Sequence, residues 1–305
     1  HEGEGHWSRV ATHAANRRRA RREHCVQAPP STGDDFRSLV ASRRTNDYWF
    51  ARAEGWMTRA DGRSYDALRP VTIEANVQRN PEGSVIYRCG GTTVLIAASV
   101  SEGVPDWMRD TGRGWLTAEY AMHPRANPER KRRDRQKGRI DGRSSEIQRL
   151  IGRALRAAID FEKLGERMIT VDCDVLDADG GTRTASITGG MVALAIALDR
   201  LRATGLVQKG VLREPIAAIS VGLVDDRPML DLCYTEDRDA EVDLNIVGTP
   251  SGSVVEVQGT AEGAPIPREK LDQMIDMALE SLPELAAEQK RTLAALEIDI
   301  DRLLP

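Results

Sequence analysis

Beyond residue 24 the 305-residue chain holds one histidine, His123. That scarcity removes the usual materials of a Ser–His–Asp triad and of a multi-histidine metal centre. His123 is read as a loop histidine near solvent or RNA, not as a general base. The four cysteines, Cys25, Cys89, Cys173 and Cys233, are far apart and form no CxxC pair. They are expected to be reduced thiols of a cytoplasmic protein rather than zinc ligands. Long apolar runs are missing too. The longest clean one, MVALAIAL at 191–198, falls well short of the roughly 20 residues that a bilayer requires. No membrane span is expected, and the polar, arginine-rich first residues lack the apolar stretch of a secretory signal. The P-loop pattern GxxxxGK[ST] does not occur.

What is present is the balance of a globular protein, 40% apolar and 30% charged. The length suffices for two domains or one large one. The net charge of −4 conceals an asymmetry: residues 125–143 carry nine Arg or Lys against three Asp or Glu, a net of +6, which leaves −10 on the rest. A concentrated basic segment on an acidic body is a docking place for a polyanion. RANPERKRRDRQKGR has no interleaved aromatics, so its charge suits backbone phosphates rather than base stacking. The alternative is a solvated flexible loop.

Residues 1–56 differ from the rest of the chain. They hold four of the five histidines, three of the five tryptophans, ten arginines and no lysine. They read as a disordered extension, or as a segment translated from upstream of the usual start, with a small accessory domain as the alternative. From Met57 the signals sharpen. SVIYRC-GG-TTVLIAASV is a hairpin with a two-glycine turn. Next comes a basic loop at 124–143. SSEIQRLIGRALRAAIDFEKLG is a helix with Ile147, Leu150, Ile151, Leu155, Ala158 and Ile159 on one face, stopped by Gly165. RMITVDCDVLDAD is a strand. TASITGGMVALAIALDRLRATG is a helix apolar nearly all round, hence buried. Two further hairpins turn at Asp225–Pro228 and Pro250–Gly252. A closing helix from Pro267 is expected to break near Pro283. The order of elements implies an α+β protein with two layered halves.

Four constellations bear on chemistry. In DADGGTRTAS the strand ends, glycines turn, and a helix begins at GGTRT. Backbone N–H groups, two hydroxyls and the Arg183 guanidinium suit a phosphate at a helix start; the alternative is a glycine turn with a helix-capping threonine. Arg143, in DGRSSEIQRL, stands at a second helix start, either as the other half of an anion clamp or as a surface arginine. DLCYTEDRDAEVD gathers Asp231, Glu236, Asp237, Glu241 and Asp243 at a strand end and its loop. Beside a phosphate they suggest Mg²⁺; alone they are a solvated acidic loop. The fourth is the basic segment. No protein nucleophile is evident, and one economical solution is that a bound phosphate itself attacks a polymer.

From about Arg59 to about Leu296 the chain resembles the bacterial ribonuclease PH family. The matching stretches, long and in order, are RPVTIE, EGVPDWMRDTGRGWLTAEYAMHPRAN, GRSSEIQRLIGRALRAAID, ITVDCDVLDADGGTRTASITG and EVQGTAEG. The resemblance implies two ribosomal-protein-like β-α-β units, here 57–205 and 206–305, the second with a C-terminal helix. It implies a homo-hexameric ring built as a trimer of dimers, with a lone dimer as the alternative if residues 1–56 interfere. It assigns phosphate binding to Arg143, Gly181, Thr182 and Arg183, the divalent ion to Asp237 and Asp243, and RNA binding to Arg125, Arg130 and Arg133.

The activity it implies is phosphate-dependent 3′-to-5′ trimming of tRNA precursors. Inorganic phosphate is the co-substrate, Mg²⁺ the cofactor and nucleoside 5′-diphosphates the product, with nucleotide addition in reverse. Two places depart from the family pattern: Ala121-Met122-His123-Pro124-Arg125 stands where Gly-Met-Leu-Pro-Arg is usual, and Gly90-Gly91 replaces a Gly-Asp turn. Neither touches a named catalytic position. The rival readings are a non-catalytic ring subunit, a polynucleotide phosphorylase and a hydrolytic nuclease.

Overall fold

The computed structural model describes residues 59, 61–133 and 141–305. The expectations for residues 1–56, Cys25 and the 134–140 part of the basic segment lie outside them. Among the described residues, two sheets and five α-helices make an α+β architecture.

The expected hairpin is present as β2 (Gly83–Cys89) and β3 (Thr92–Glu102), paired antiparallel across Gly90–Gly91. Alternate residues of β2 and β3 are buried, among them Val85, Tyr87, Val94, Ile96 and Ala98, as a sheet covered on one face requires. With β1 (Val71–Ala75), β4 (Trp115–Met122) and β5 (Arg167–Asp177) the sheet has the order β1-β2-β3-β5-β4. Only β4 and β5 are parallel, and a parallel pair needs a long crossover. The arginine-rich segment and α1 (Gly142–Ala157) supply it. The C-terminal ends of both parallel strands, Met122 beside Val175, therefore lie next to the candidate phosphate turn. The second sheet, β7-β6-β8-β9, is antiparallel throughout: β6 (Ala217–Val224), β7 (Arg227–Leu230), β8 (Val242–Gly248) and β9 (Val254–Ala261). Asp225 and Asp226, both at positive φ, make its first turn.

Three helical expectations are corrected. The helix expected over 144–165 ends at Ala157, where Ile159 bridges to Leu212. The Asp160 side chain then caps a separate short helix, α2 (Phe161–Leu164), accepting from the amides of Glu162 and Lys163 at 3.1 and 3.3 Å. The acidic stretch expected as a loop contains a helix, α4 (Tyr234–Asp239). The closing helix, α5 (Arg268–Ala294), runs through Pro283 without interruption. An interior proline costs about 3 kcal/mol. Met274, Ala278, Leu282 and Leu285 bury themselves against the second sheet, and the larger of these side chains contribute roughly 1.5–3 kcal/mol each, so packing outweighs the proline.

α3 (Thr182–Ala203) packs against β2 and β3 of one sheet and β6 of the other. By length and composition it could cross a membrane, but 89% of its apolar window is buried within the protein, which accounts for its apolarity. The start of this central helix is where the site forms.

Candidate active site

β5 ends at Asp177 and α3 starts at Thr182. The turn between them depends on Gly180 and Gly181, both left-handed at φ 77° and 64°. A Cβ on Gly180 would stand 2.3 Å from the Leu232 carbonyl oxygen, so only glycine lets the turn lie against the β7–α4 junction. Thr92 Oγ1 donates to the Gly180 carbonyl at 2.7 Å and accepts from the Asp179 amide at 2.9 Å. No side chain caps α3. Thr184 Oγ1 donates to the Gly181 carbonyl instead of accepting an amide, so the capping-threonine alternative is not realised. The helix start keeps open N–H groups, as an anion site needs. Thr182 is buried, and its hydroxyl meets Tyr120 Oη at 2.9 Å. Arg183 is half-buried, with Nη1 donating to Gln258 Oε1 at 3.4 Å, and Gln258 Nε2 donates onward to Glu146 at 2.7 Å.

Arg143 is exposed in the first turn of α1. Both Arg143 and Arg183 act on Tyr120 and on Asp237. Burial pushes the Tyr120 hydroxyl pKa up, while the Thr182 hydrogen bond and the two guanidiniums pull against it. Burial also pushes the Asp237 carboxyl up; Asp243 and, more weakly, Glu262 add to the push, and Arg143 and Arg183 oppose it. The two helix starts and the two aspartates therefore converge on one place, although they come from α1, α3, α4 and β8. A hollow of about 310 Å³ adjoins it between α1 and β9, lined by Gly142, Ser145, Glu146, Arg149, Arg153 and Gln258.

The five acidic candidates divide. Asp237 and Asp243 face each other electrostatically, and Asn245 Nδ2 donates to both Asp243 oxygens at 3.2 and 3.3 Å. Asp231 is buried on Arg69, Glu236 accepts from Arg59, and Glu241 accepts from the Asp226 amide. Among the described residues no cluster of three or more His, Cys, Asp or Glu could hold a metal. Two neighbouring carboxylates still fit Mg²⁺, which takes one or two protein carboxylates and fills its shell with water and phosphate oxygens.

Arg125, Arg130 and Arg133 are exposed. The segment that carries them is tied to the phosphate turn at its beginning: the Ala178 amide donates to the Ala126 carbonyl at 2.9 Å. Arg130 and Arg133 have no hydrogen bond or ion pair to the clamp among the described residues. His123 is exposed, its Nδ1 accepting from the Arg125 amide at 3.3 Å.

Sequence reading missed Tyr120, Gln258, Asn245 and a buried charge network beneath the turn. In that network Arg69 grips Asp231 with its backbone N, Nε and Nη2, at 2.7, 3.0 and 2.7 Å, and its Nη1 donates to the Asp179 carbonyl. Arg59 donates to the Leu230 and Asp231 carbonyls and to both oxygens of Glu236. Cys89 points its thiol at Asp231, and burial together with that carboxylate pushes the thiol up to about 12. RPVTIE and EVQGTAEG, which contain Arg69 and Gln258, were visible as motifs without a role.

Comparison with known proteins gives concordant results. Family models described as the 3′ exoribonuclease family, domain 1 and domain 2, match residues 67–198 and 214–281. Ribonuclease PH of Saccharopolyspora erythraea is 56% identical over 240 residues, 78% of this chain and 96% of that protein. Ribonuclease PH of Corynebacterium kroppenstedtii is 53% identical over 236 residues, 77% of this chain and 93% of that protein. Among solved structures, rice (Oryza sativa) Rrp46 aligns with a TM-score of 0.63 at 19% identity, covering 77% of this chain and all of that one. The Archaeoglobus fulgidus exosome with RNA bound to the active site aligns with a TM-score of 0.64 at 24% identity, covering 76% and 92%. At these identities the two structures speak to the fold.

Proposed function

The chain belongs to the 3′ exoribonuclease family and is a phosphorolytic enzyme, and from that premise we propose that it trims the 3′ ends of tRNA precursors in the cytoplasm. The observation that supports the site assignment is the uncapped start of α3 at the left-handed Gly180–Gly181 turn, with Arg183 bonded through Gln258 to Glu146 in the first turns of α1.

In this reading inorganic phosphate sits between Arg143 and the open amides at Thr182–Arg183. Gly181 permits the approach, and Tyr120 holds the Thr182 hydroxyl in place. One phosphate oxygen attacks the phosphorus of the last phosphodiester in line. The bond to the 3′ oxygen of the penultimate nucleotide breaks, and the proton of the attacking phosphate passes to that oxygen. The products are a nucleoside 5′-diphosphate and an RNA shorter by one nucleotide. One anhydride-type bond replaces one diester, so excess nucleoside diphosphate drives addition to RNA 3′ ends. Asp237 and Asp243 would hold Mg²⁺, which supplies positive charge against the developing negative charge. The protein's contribution is positioning and preorganised charge. Arg125, Arg130 and Arg133 guide the RNA backbone. The working assembly is a homo-hexamer, a trimer of dimers, which sedimentation of the full chain tests.

The deciding experiment incubates the protein with a short 3′-tailed RNA and Mg²⁺, with and without phosphate, and identifies the mononucleotide released. Nucleoside diphosphates formed only with phosphate are expected. Monophosphates formed without phosphate would mean hydrolysis and remove this role from Arg183.

A further inference from the structure

We infer that Arg69 and Asp231, buried behind the GGTRT turn, are positioning residues that lock the turn to the helix bearing Asp237 and cancel each other's field beneath the bound anion. The inference rests on the phosphate-binding reading of that turn.

Neither residue faces the open site: Arg69 is 5% exposed and Asp231 2%. Asp231 is a non-glycine residue held at φ 52°, a strained backbone that persists only where its surroundings over-determine it. Arg69 supplies three of those constraints through its contacts to the carboxylate. Its remaining Nη1 donates to the Asp179 carbonyl within the turn, and its Nη2 lies 3.2 Å from where a Gly181 Cβ would stand. Asp179 Oδ1 in turn accepts from the Tyr234 amide at the start of α4, at 3.1 Å. A continuous chain of bonds thus joins the turn that opens α3, beside the first sheet, to the helix that carries Asp237 between β7 and β8 of the second.

A buried ion pair is a weak device for stability, because desolvation offsets most of its attraction. Its electrostatic place here is more telling. A lone carboxylate under Gly181 would repel an anion on the other side of the turn, and a lone guanidinium would attract it. Together they present little net charge. Removing either partner should therefore move phosphate affinity in opposite directions, which a purely structural pair would not do. Arg63 Nη1 lies 3.7 Å from the Asp231 carboxylate and contributes a weaker, longer contact to it.

The test uses the full chain with 3′-tailed RNA and Mg²⁺, measuring kcat, KM for phosphate, and inorganic phosphate affinity by calorimetry. Arg69→Met is expected to weaken phosphate binding roughly tenfold and Asp231→Asn to tighten it, with kcat lowered in both. Phosphate affinities that move in the same direction, or an unchanged kcat, would overturn the inference. If these variants fail to fold, Arg69→Lys keeps the charge and loses only the fork. Near-normal phosphate affinity with lowered kcat then supports the pair, and a wild-type kcat rejects it. Wild-type protein that yields no nucleoside diphosphate would count against the phosphorolytic trimming of RNA, while the calorimetric order of affinities still judges the pair.

Discussion

Arg183 is half-buried, so its charge acts in a medium less screening than water, and its hydrogen bond to Gln258 limits where the guanidinium can point. Arg183→Ala should cost about 3 kcal/mol of transition-state stabilisation, a loss of roughly 10²-fold in kcat/KM. RNA affinity should be kept; unchanged phosphorolysis would end the clamp reading. Asp237 carries a different expectation. Its pKa is raised in the fold, by burial first and then by Asp243. A carboxyl raised on folding contributes its stability below its unfolded value and loses it as pH rises through the folded value. In divalent-free buffer at neutral pH, Asp237→Asn should therefore melt higher than the wild type, with the gain fading as the pH falls into the acid range. Added Mg²⁺ should raise the melting temperature of the wild type and not of the variant. These residues were legible because each stands in a short local pattern: a glycine turn into a helix, an arginine at a helix start, acids after a strand. Tyr120, Gln258 and Arg69 were not. Their partners Thr182, Arg183 and Asp231 lie 62, 75 and 162 positions away, and a local pattern carries no distance of that kind.

At the scale of elements, sequence pattern located the three long helices and most of the strands, and it failed where one residue or one packed face decided the outcome. Asp160 ends an apolar stripe that would otherwise have continued, because its side chain bonds two amides of a new helix. Pro283 fails to end one, because the residues around it are committed to the second sheet. The same helix carries a polar fastener. Gln289 is buried, and its Nε2 donates to the carbonyls of Thr188 in α3 and Ile216 ahead of β6, at 2.9 and 3.0 Å. One side chain thus joins the closing helix, the central helix and the second sheet. Gln289→Leu removes both bonds while roughly keeping the volume. It should cost about 1–3 kcal/mol, read as a lower urea midpoint with little change in slope. Because Gln289 shares no hydrogen bond with the clamp residues, phosphate affinity below the transition should stay at the wild-type level.

Across the whole molecule the charge is divided so that one stretch attracts what the remainder repels: +6 on residues 125–143 against −10 elsewhere. The stretch links β4 to α1, and its first residues are tied to the phosphate turn through Ala126 and Ala178. In the proposed reading an RNA backbone drawn to it would be delivered beside the candidate clamp, while the acidic body would discourage other placements. Arg130 and Arg133 are exposed and have no ion-pair partner among the described residues, so their charge is available to phosphates. Each contact with a single strand releases counterions and contributes about 0.7 to the slope of log affinity against log salt. Replacing both arginines with glutamine should flatten that slope by about 1.4, weaken RNA binding most at low salt, and leave phosphate affinity unaltered. The measurement is RNA binding across a salt series in the absence of inorganic phosphate. An unchanged slope would mean that the RNA tracks along another face of the protein, and the basic segment would then be a solvated loop.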